Sequence, residues 1–435
     1  MDRHRMKFIR KNLLQLSTIP RDLDSVTSID AEAEVAPETV GMAQDDIDHI
    51  WRQVVKLYRT GTHPAITLSI RHQGQVIMSR AIGHASGNGP LDEAETEKVQ
   101  ASVDTPICLY SGSKAITAML MHMLAEEGLI NIMDPVAFYA PEFARNGKSN
   151  ITIHQILAHR GGIPGLPKNT SLDILWDEDR TWKLLCNAEP ITVDGSKLAY
   201  HAITGGFVLE RVVRKVTGAD MNVLIDRMLR QPMGMKYFTY GIEPQYLDQL
   251  APTYATGPRP GPVLDRFVKR ALGADLRSVV EICNDPRFQE VVIPAGNLVA
   301  SADEVSAFYQ MMLNGGKWGR RRICKPSTVA RAVQEFGGRT LDRTLGIPMR
   351  YSAGLMLGDS PIGAWGQHSR HAYGHLGLIN KFAWADPERA LSAALLTTGL
   401  PLVSHHVVPL INTMRAIAGR VPRLDPPGPF ALETA

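Results

Sequence analysis

The chain has 435 residues, 44% hydrophobic and 21% charged, with 47 Lys and Arg against 44 Asp and Glu for a formal net charge of +3. These proportions belong to a globular protein with a full core and exclude a fibrous or wholly disordered chain. The small charge comes with no basic block or nucleic-acid motif, which argues against nucleic acid as a partner. Cys108, Cys186, Cys283 and Cys324 lack the paired spacing of a zinc or redox site and read as buried thiols in a reducing compartment.

The opening MDRHRMKFIRKNLLQLSTIP never reaches an apolar stretch of secretory length, and no run of 18 apolar residues occurs in the chain. The expectation is a cytoplasmic protein without a transmembrane helix, with peripheral membrane contact left open. Residues 1–43 mix charges with Ser, Thr and Pro and read as an N-terminal extension, wrapped on the surface or partly disordered. MAQDDIDHIWRQVVKLYRTG then places Ile47, Ile50, Val54 and Leu57 on one helical face and stops at Gly61. AITLSIRHQGQVIMSRAIGHA is two β-rich runs about a His-Gln-Gly turn, hence a hairpin. From Ser111 to about Ile132 the pattern is helical, and to roughly residue 315 helices alternate with Gly/Pro loops such as HRGGIPGLPKN and YATGPRPGP. Strands return in AYGHLGLINKFAWAD and RALSAALLTTGL, and a last helix, SHHVVPLINTMRAIAG, precedes a Pro-rich tail. The expected fold is α+β, one antiparallel sheet assembled from both chain ends and flanked by helices. A single domain over residues 44–435 then has an α/β part from about 44–110 and 320–420, a mainly helical part over 111–319 and a tail at 421–435.

Ser111-Gly112-Ser113-Lys114 is an S-x-x-K tetrapeptide, entered from the β-rich TPICLY and followed by the helical AITAMLMHMLAEEGLI. Residues three apart share a helical face, so the Lys114 amine can reach the Ser111 hydroxyl. The unpaired N–H groups of the first turn favour an oxyanion there. A serine hydroxyl needs a base to become a nucleophile, and a lysine serves only if burial or nearby positive charge lowers its pKa. The competing reading of the tetrapeptide alone is an N-capping serine with an exposed lysine on the next turn. No G-x-S-x-G or H-E-x-x-H occurs, so the expectation includes no metal and no cofactor.

Two further segments extend the pattern. LAYHAITGGFVLERVVRKVTG carries Tyr200 ahead of an amphipathic helix, and YGHLGLINKFAWADPER carries His375-Leu376-Gly377 ahead of a strand. With ILAHRGGIPGLP and IPAGNLVASADEVSAFYQMMLNGG, the chain from about residue 44 to 420 resembles the serine β-lactamase/penicillin-binding superfamily, in its branch of class C β-lactamase-like carboxylesterases and lipases. The resemblance implies a β-lactamase-like fold and a serine ester hydrolase with an acyl-Ser111 intermediate, acting on a small-molecule ester or lipid. It implies that Tyr200, as a phenolate stabilised by Lys114, accepts the Ser111 proton and later activates water. It further implies that His375 hydrogen-bonds Tyr200 or the ester, and that the amides of Ser111 and Leu378, beside Gly377, form an oxyanion hole. Two departures from the β-lactamase pattern, Ala202 in place of an amide and His375 in place of a lysine, favour the esterase branch.

The alternatives are acyl transfer, weak β-lactam or D-Ala peptide hydrolysis on the same fold, or a non-catalytic binding or scaffold protein. LDILWDEDRTWKLL and RPGPVLDRFVKRALGADLRSVVEI fall where a roof over the site is expected, either lining an acyl pocket or covering the core. Oligomeric state is not legible.

Overall fold

The first strand, β1 (Thr27–Ile29), lies inside the segment expected to be an extension. It pairs antiparallel with β3 (Gln75–Ser86), Ser28 opposite Ala81, while Val26, Val40 and Met42 are buried. The carboxylate of Glu34 accepts from the Ser79 N–H at 2.8 Å and from Arg80 at 2.8 and 2.7 Å. The extension expected over residues 1–43 is corrected for its described part: three residues are too short a strand for period-two alternation to register. The protein is seen here as a computed structural model that describes residues 14–424, apart from 94, 168–169, 263–264, 267, 270–272 and 379.

The other strands of the same sheet are β2 (Ala65–His72), β4 (Val99–Gln100), β5 (Met356–Leu357), β6 (Tyr373–Gly377), β7 (Lys381–Asp386) and β8 (Leu391–Thr397). They form an eight-stranded antiparallel sheet in the order β1-β3-β2-β8-β7-β6-β5, with β4 on the end of β3. The β2–β3 hairpin turns at Gln73 and Gly74, whose φ angles of +52° and +81° suit a tight two-residue turn. The β2–β8 pairing, Leu68 opposite Leu395, joins the two ends of the chain as the sequence leads one to expect.

Every residue of β2 and β8 is buried because helices cover both faces of the sheet. On one face Ile66, Leu68, Ile70, Ala393 and Leu395 meet α1 (Gln44–Tyr58) through Ile47, Ile50, Val54 and Leu57. The last helix, α5 (Val407–Arg420), adds Leu410, Met414 and Ile417 to the same cluster. On the other face Ala394 and Leu396 pack with Phe308 and Tyr309 of α4 (Ala302–Leu313), and Ser69 bonds Ser306 at 2.8 Å. Between this layer and the helical part runs α2 (Ser113–Glu126), apolar all round and buried through most of its length, as a central helix must be. α3 (Thr204–Thr217), ended at Gly218 with φ +72°, belongs to the helical part.

The α/β part does not resume at residue 320. The helix Pro326–Val333 and a small ribbon pairing Thr340–Leu341 with Pro348–Met349 intervene, and the sheet restarts at Met356. In the expected tail, Val421 is buried and residues 425–435 lie outside the described residues. The four cysteines are free and buried, and no described helix is long and apolar enough to cross a membrane.

Because the Glu34 carboxylate is the partner of both a backbone N–H and a nearly buried guanidinium, Glu34→Ala is expected to cost about 2–4 kcal/mol of stability in denaturant unfolding. The rate constants for whatever substrate the protein turns over should stay within about twofold, since β1 and its strap lie at the sheet edge away from α2.

Candidate active site

A short sheet sets the entry to α2. Ile107–Cys108 pairs with Leu298–Ala300, and the Leu109 N–H donates to the Leu298 carbonyl at 2.7 Å. The chain then turns through Tyr110 at φ +49°, a left-handed conformation that a bulky residue keeps only where its surroundings impose it. The Tyr110 hydroxyl donates to Thr253 Oγ1 at 2.5 Å, and the Tyr110 carbonyl accepts from Ser113 Oγ at 2.5 Å. Ser113 Oγ in turn accepts from the Leu298 N–H at 3.0 Å. Ser113 is thus a fully buried lock on the turn, and Ser111, half-buried, faces a cavity.

One helical turn on, Lys114 Nζ donates to Ser111 Oγ at 3.0 Å and to the Ala295 carbonyl at 2.8 Å. It lies 4.9 Å from the centre of the Tyr200 ring. Burial pulls its amine well below the usual lysine range, and no carboxylate among the described residues offsets that pull. An amine so placed carries a lone pair able to take the Ser111 proton. The reading of Ser111 as a helix cap with an exposed lysine does not describe this contact.

Tyr200 enters from the loop before α3. Its N–H donates to Asp342 Oδ1 at 3.1 Å, and its ring packs 4.5 Å from that of His159. Burial raises the phenol above its usual range, with the Ser111 side chain pulling partly back. The expected phenolate is therefore corrected: desolvation favours the neutral phenol, and the Lys114 nitrogen stands over the ring face.

His375, on β6, is buried with Nδ1 2.8 Å from the Leu376 carbonyl, and Nε2 has no partner among the described residues. Its ring centre stands 6.1 Å from that of Tyr200, and no hydrogen bond joins them among the described residues. Burial, helped by Lys114, pushes the imidazole down to about 3, so the ring is neutral near pH 7. Of the two partners expected for His375, Tyr200 or the ester, the first is corrected by this geometry. Gly377 ends β6 directly against the segment that leads into Ser111, where a Cβ would stand 2.1 Å from the Leu109 carbonyl oxygen. Leu378 follows at φ +37° and lines the same cavity as Ser111.

That cavity has a volume of about 110 Å³. Leu172 and Leu175 wall it from one of the two segments expected over the site, Val279 and Ile282 from the other, with Phe288, Ile293 and Ala202 between. Part of the second segment lies outside the described residues. No Lys, Arg, Asp or Glu side chain is among the described residues lining the cavity.

The sequence profile of the beta-lactamase family matches residues 48–410. The chain belongs to the beta-lactamase family. Among curated members of known name, this beta-lactamase family chain is similar to the esterase/beta-lactamase LipL of Mycobacterium tuberculosis, at 29% identity over 315 residues, covering 69% of this chain and 72% of LipL. Among solved structures, a family VIII carboxylesterase shares its fold with a TM-score of 0.73 at 23% identity, covering 86% of this chain and 98% of that one. A penicillin-binding protein homologue from Caulobacter crescentus does so with a TM-score of 0.73 at 22% identity, covering 87% of this chain and 99% of the other.

Two supporting residues escaped the sequence reading. Asp342, wholly buried, accepts at Oδ1 from the N–H groups of Tyr200, Thr344 (2.8 Å) and Leu345 (3.0 Å), and at Oδ2 from the Tyr351 hydroxyl at 3.3 Å. Nothing in RTLDRTLG distinguishes it from a surface aspartate. His159, at φ +57°, accepts from the His201 N–H at 3.2 Å; it sits in the ILAHRGGIPGLP segment already noted, so a signal for it existed.

Gly377→Ala should force the Leu109 carbonyl away and shift the Ser111 turn. Labelling of Ser111 by a fluorophosphonate, followed by mass spectrometry, is expected to slow by about 10²-fold, the scale of a 1 Å misplacement.

Proposed function

We propose that the protein is a serine ester hydrolase that works through an acyl-Ser111 intermediate on uncharged carboxylic esters and needs no cofactor. The observation that carries this reading is the Lys114 amine, held between Ser111 Oγ and the Ala295 carbonyl with no carboxylate partner among the described residues, while Ser111 itself lines an apolar cavity.

The Ala295 carbonyl can only accept, so it keeps one N–H of Lys114, and rotation of the neutral amine about that contact exchanges the N–H that donates to Ser111 for the lone pair. Lys114 removes the Ser111 proton as Oγ attacks the ester carbonyl, and the first-turn amides with that of Leu378 receive the oxyanion. The Tyr200 hydroxyl, beside Ser111, gives its proton to the departing alkoxide and is reprotonated by the Lys114 ammonium; when water attacks the acyl-enzyme, the neutral Lys114 amine takes a proton from it and the same relay through Tyr200 delivers one to Ser111 Oγ. Asp342 keeps Tyr200 in place by holding its backbone.

Leaving-group and acyl preferences follow from the walls. Ala202 offers no amide to a β-lactam side chain, and His375 offers no cation to its carboxylate. Each missing hydrogen bond is worth about 1–3 kcal/mol, together about 10² to 10⁴ in rate. LipL carries both activities in its name. For this chain kcat/KM on p-nitrophenyl butyrate should exceed that on nitrocefin by at least about 10²-fold, and equal or faster nitrocefin turnover would reverse the reading.

Ser111→Ala is expected to lower kcat by about 10⁴ to 10⁶ with the fold retained by circular dichroism, and retained activity would remove Ser111 from the role. Lys114→Ala and Tyr200→Phe should each cost nearly as much as the double variant, because one proton passes through both; losses that multiply would mean independent roles. The Lys114 amine is depressed, so its active neutral form is gained as pH rises through that lowered value. Single-turnover acylation should accordingly climb with pH on an ascending limb well below the ordinary lysine range.

A further inference from the structure

A second buried lysine stands behind the nucleophile. Lys381 opens β7 opposite Gly377 and is 2% exposed, and its Nζ has no hydrogen-bond partner among the described residues. Isolated buried polar atoms of this kind are rare in folded proteins because desolvation is uncompensated. The stem of Lys381 passes beside Gly377, whose missing Cβ would lie 3.2 Å from that of Lys381, and the nitrogen ends 4.6 Å from the centre of the Tyr110 ring. Tyr110 is the left-handed residue whose peptide leads into Ser111.

We propose that Lys381 is a positioning residue for the reaction: its ammonium, seated on the Tyr110 ring, holds the strained turn that presents the Ser111 hydroxyl and amide, and does so only while it is protonated. Attraction between a cation and an aromatic face grows when both are removed from water, so the contact is strongest where hydrogen bonds are lacking. The Tyr110 ring is clamped from both ends, by Thr253 at the hydroxyl and by the Ser113 bond at the backbone carbonyl, and the ammonium supplies the contact on its face. The inference rests on the esterase reading above and names a control on the same site.

The groups that feel Lys381 are Cys108 on the strand before the turn, Cys283 on the helix Leu276–Cys283, and His63 just before β2, which packs edge-on against His406. Burial pushes the Cys108 thiol up to about 11 and the Cys283 thiol up as well, and pulls His63 well below its usual range. All three are therefore uncharged near neutrality, and the ammonium is the charge in the cluster. Burial lowers Lys381 itself to about 8. The charged form is present below that value and is lost as pH rises through it. The contact on Tyr110 weakens over the same interval.

The test measures kcat and KM for p-nitrophenyl butyrate from pH 6 to 10 in the wild-type protein, Lys381→Arg and Lys381→Met, with Ser111→Ala as the blank. The expected wild-type profile climbs on the Lys114 limb and falls on an alkaline limb centred near pH 8. Lys381→Arg, whose guanidinium stays charged and stacks on aromatic faces, should recover most of kcat and lose the alkaline limb. Lys381→Met should lower kcat at pH 7 by about tenfold or more, leave KM within about twofold and show no alkaline limb. An alkaline limb that persists unchanged in Lys381→Arg overturns the proposal even if Lys381→Met fails to fold, as does a wild-type kcat in a folded Lys381→Met. Wild-type turnover no greater than that of Ser111→Ala overturns the esterase reading instead.

Discussion

An amine removed from water without an anion beside it is the constraint on which the site depends. Lys114 is offered one hydroxyl and one carbonyl, and neither compensates a full positive charge as a carboxylate would. Desolvation therefore works on the proton, and it is this that suits the lysine to the part of base in the proposed reaction. A salt bridge at the same place would have produced a stable cation with no lone pair. The apolar helix α2 supplies that environment, since every residue from Ala115 to Leu124 in the turns after Lys114 is buried.

The same burial assigns opposite duties to two neighbouring serines and to two lysines. Ser113 spends its hydroxyl on the Tyr110 carbonyl and the Leu298 amide, which leaves Ser111 as the hydroxyl that meets the cavity. Lys114 faces the reacting oxygen, whereas Lys381 faces an aromatic ring behind it. Three chain segments far apart in sequence have to meet for this: the strand before α2, the loop carrying Tyr200, and the end of β6. The sheet makes the meeting reproducible by joining β2 to β8, and Gly377 lets β6 approach the Leu109 carbonyl more closely than any side chain would allow.

Much of this arrangement was legible in the sequence, because the elements that mattered were long or periodic. The β2–β3 hairpin, the buried strands β6 to β8 and the helices α1 and α5 lie where alternation and helical spacing place them. Ser111 and Lys114 meet as residues three apart on a turn should. Charge states were not legible: the neutral Tyr200 phenol and the neutral His375 ring follow from burial, which depends on packing against residues distant in the sequence. Asp342 was invisible for the same reason, since its partners are backbone amides that no side-chain pattern records. The strand β1 was missed because its three residues pair through the backbone and bury little of their own.

The account stands on the protonation state of Lys114, and that state can be observed without any substrate. Lysine labelled with ¹³C at Cε, with the Lys114 resonance assigned by its loss in Lys114→Arg, can be titrated by NMR in the resting protein. The account predicts a Lys114 midpoint well below the ordinary lysine range, so that the resonance reports a deprotonated amine while exposed lysines remain charged. A Lys114 resonance that titrates alongside the exposed lysines, near pH ~10.4, would contradict it and leave Ser111 without its base.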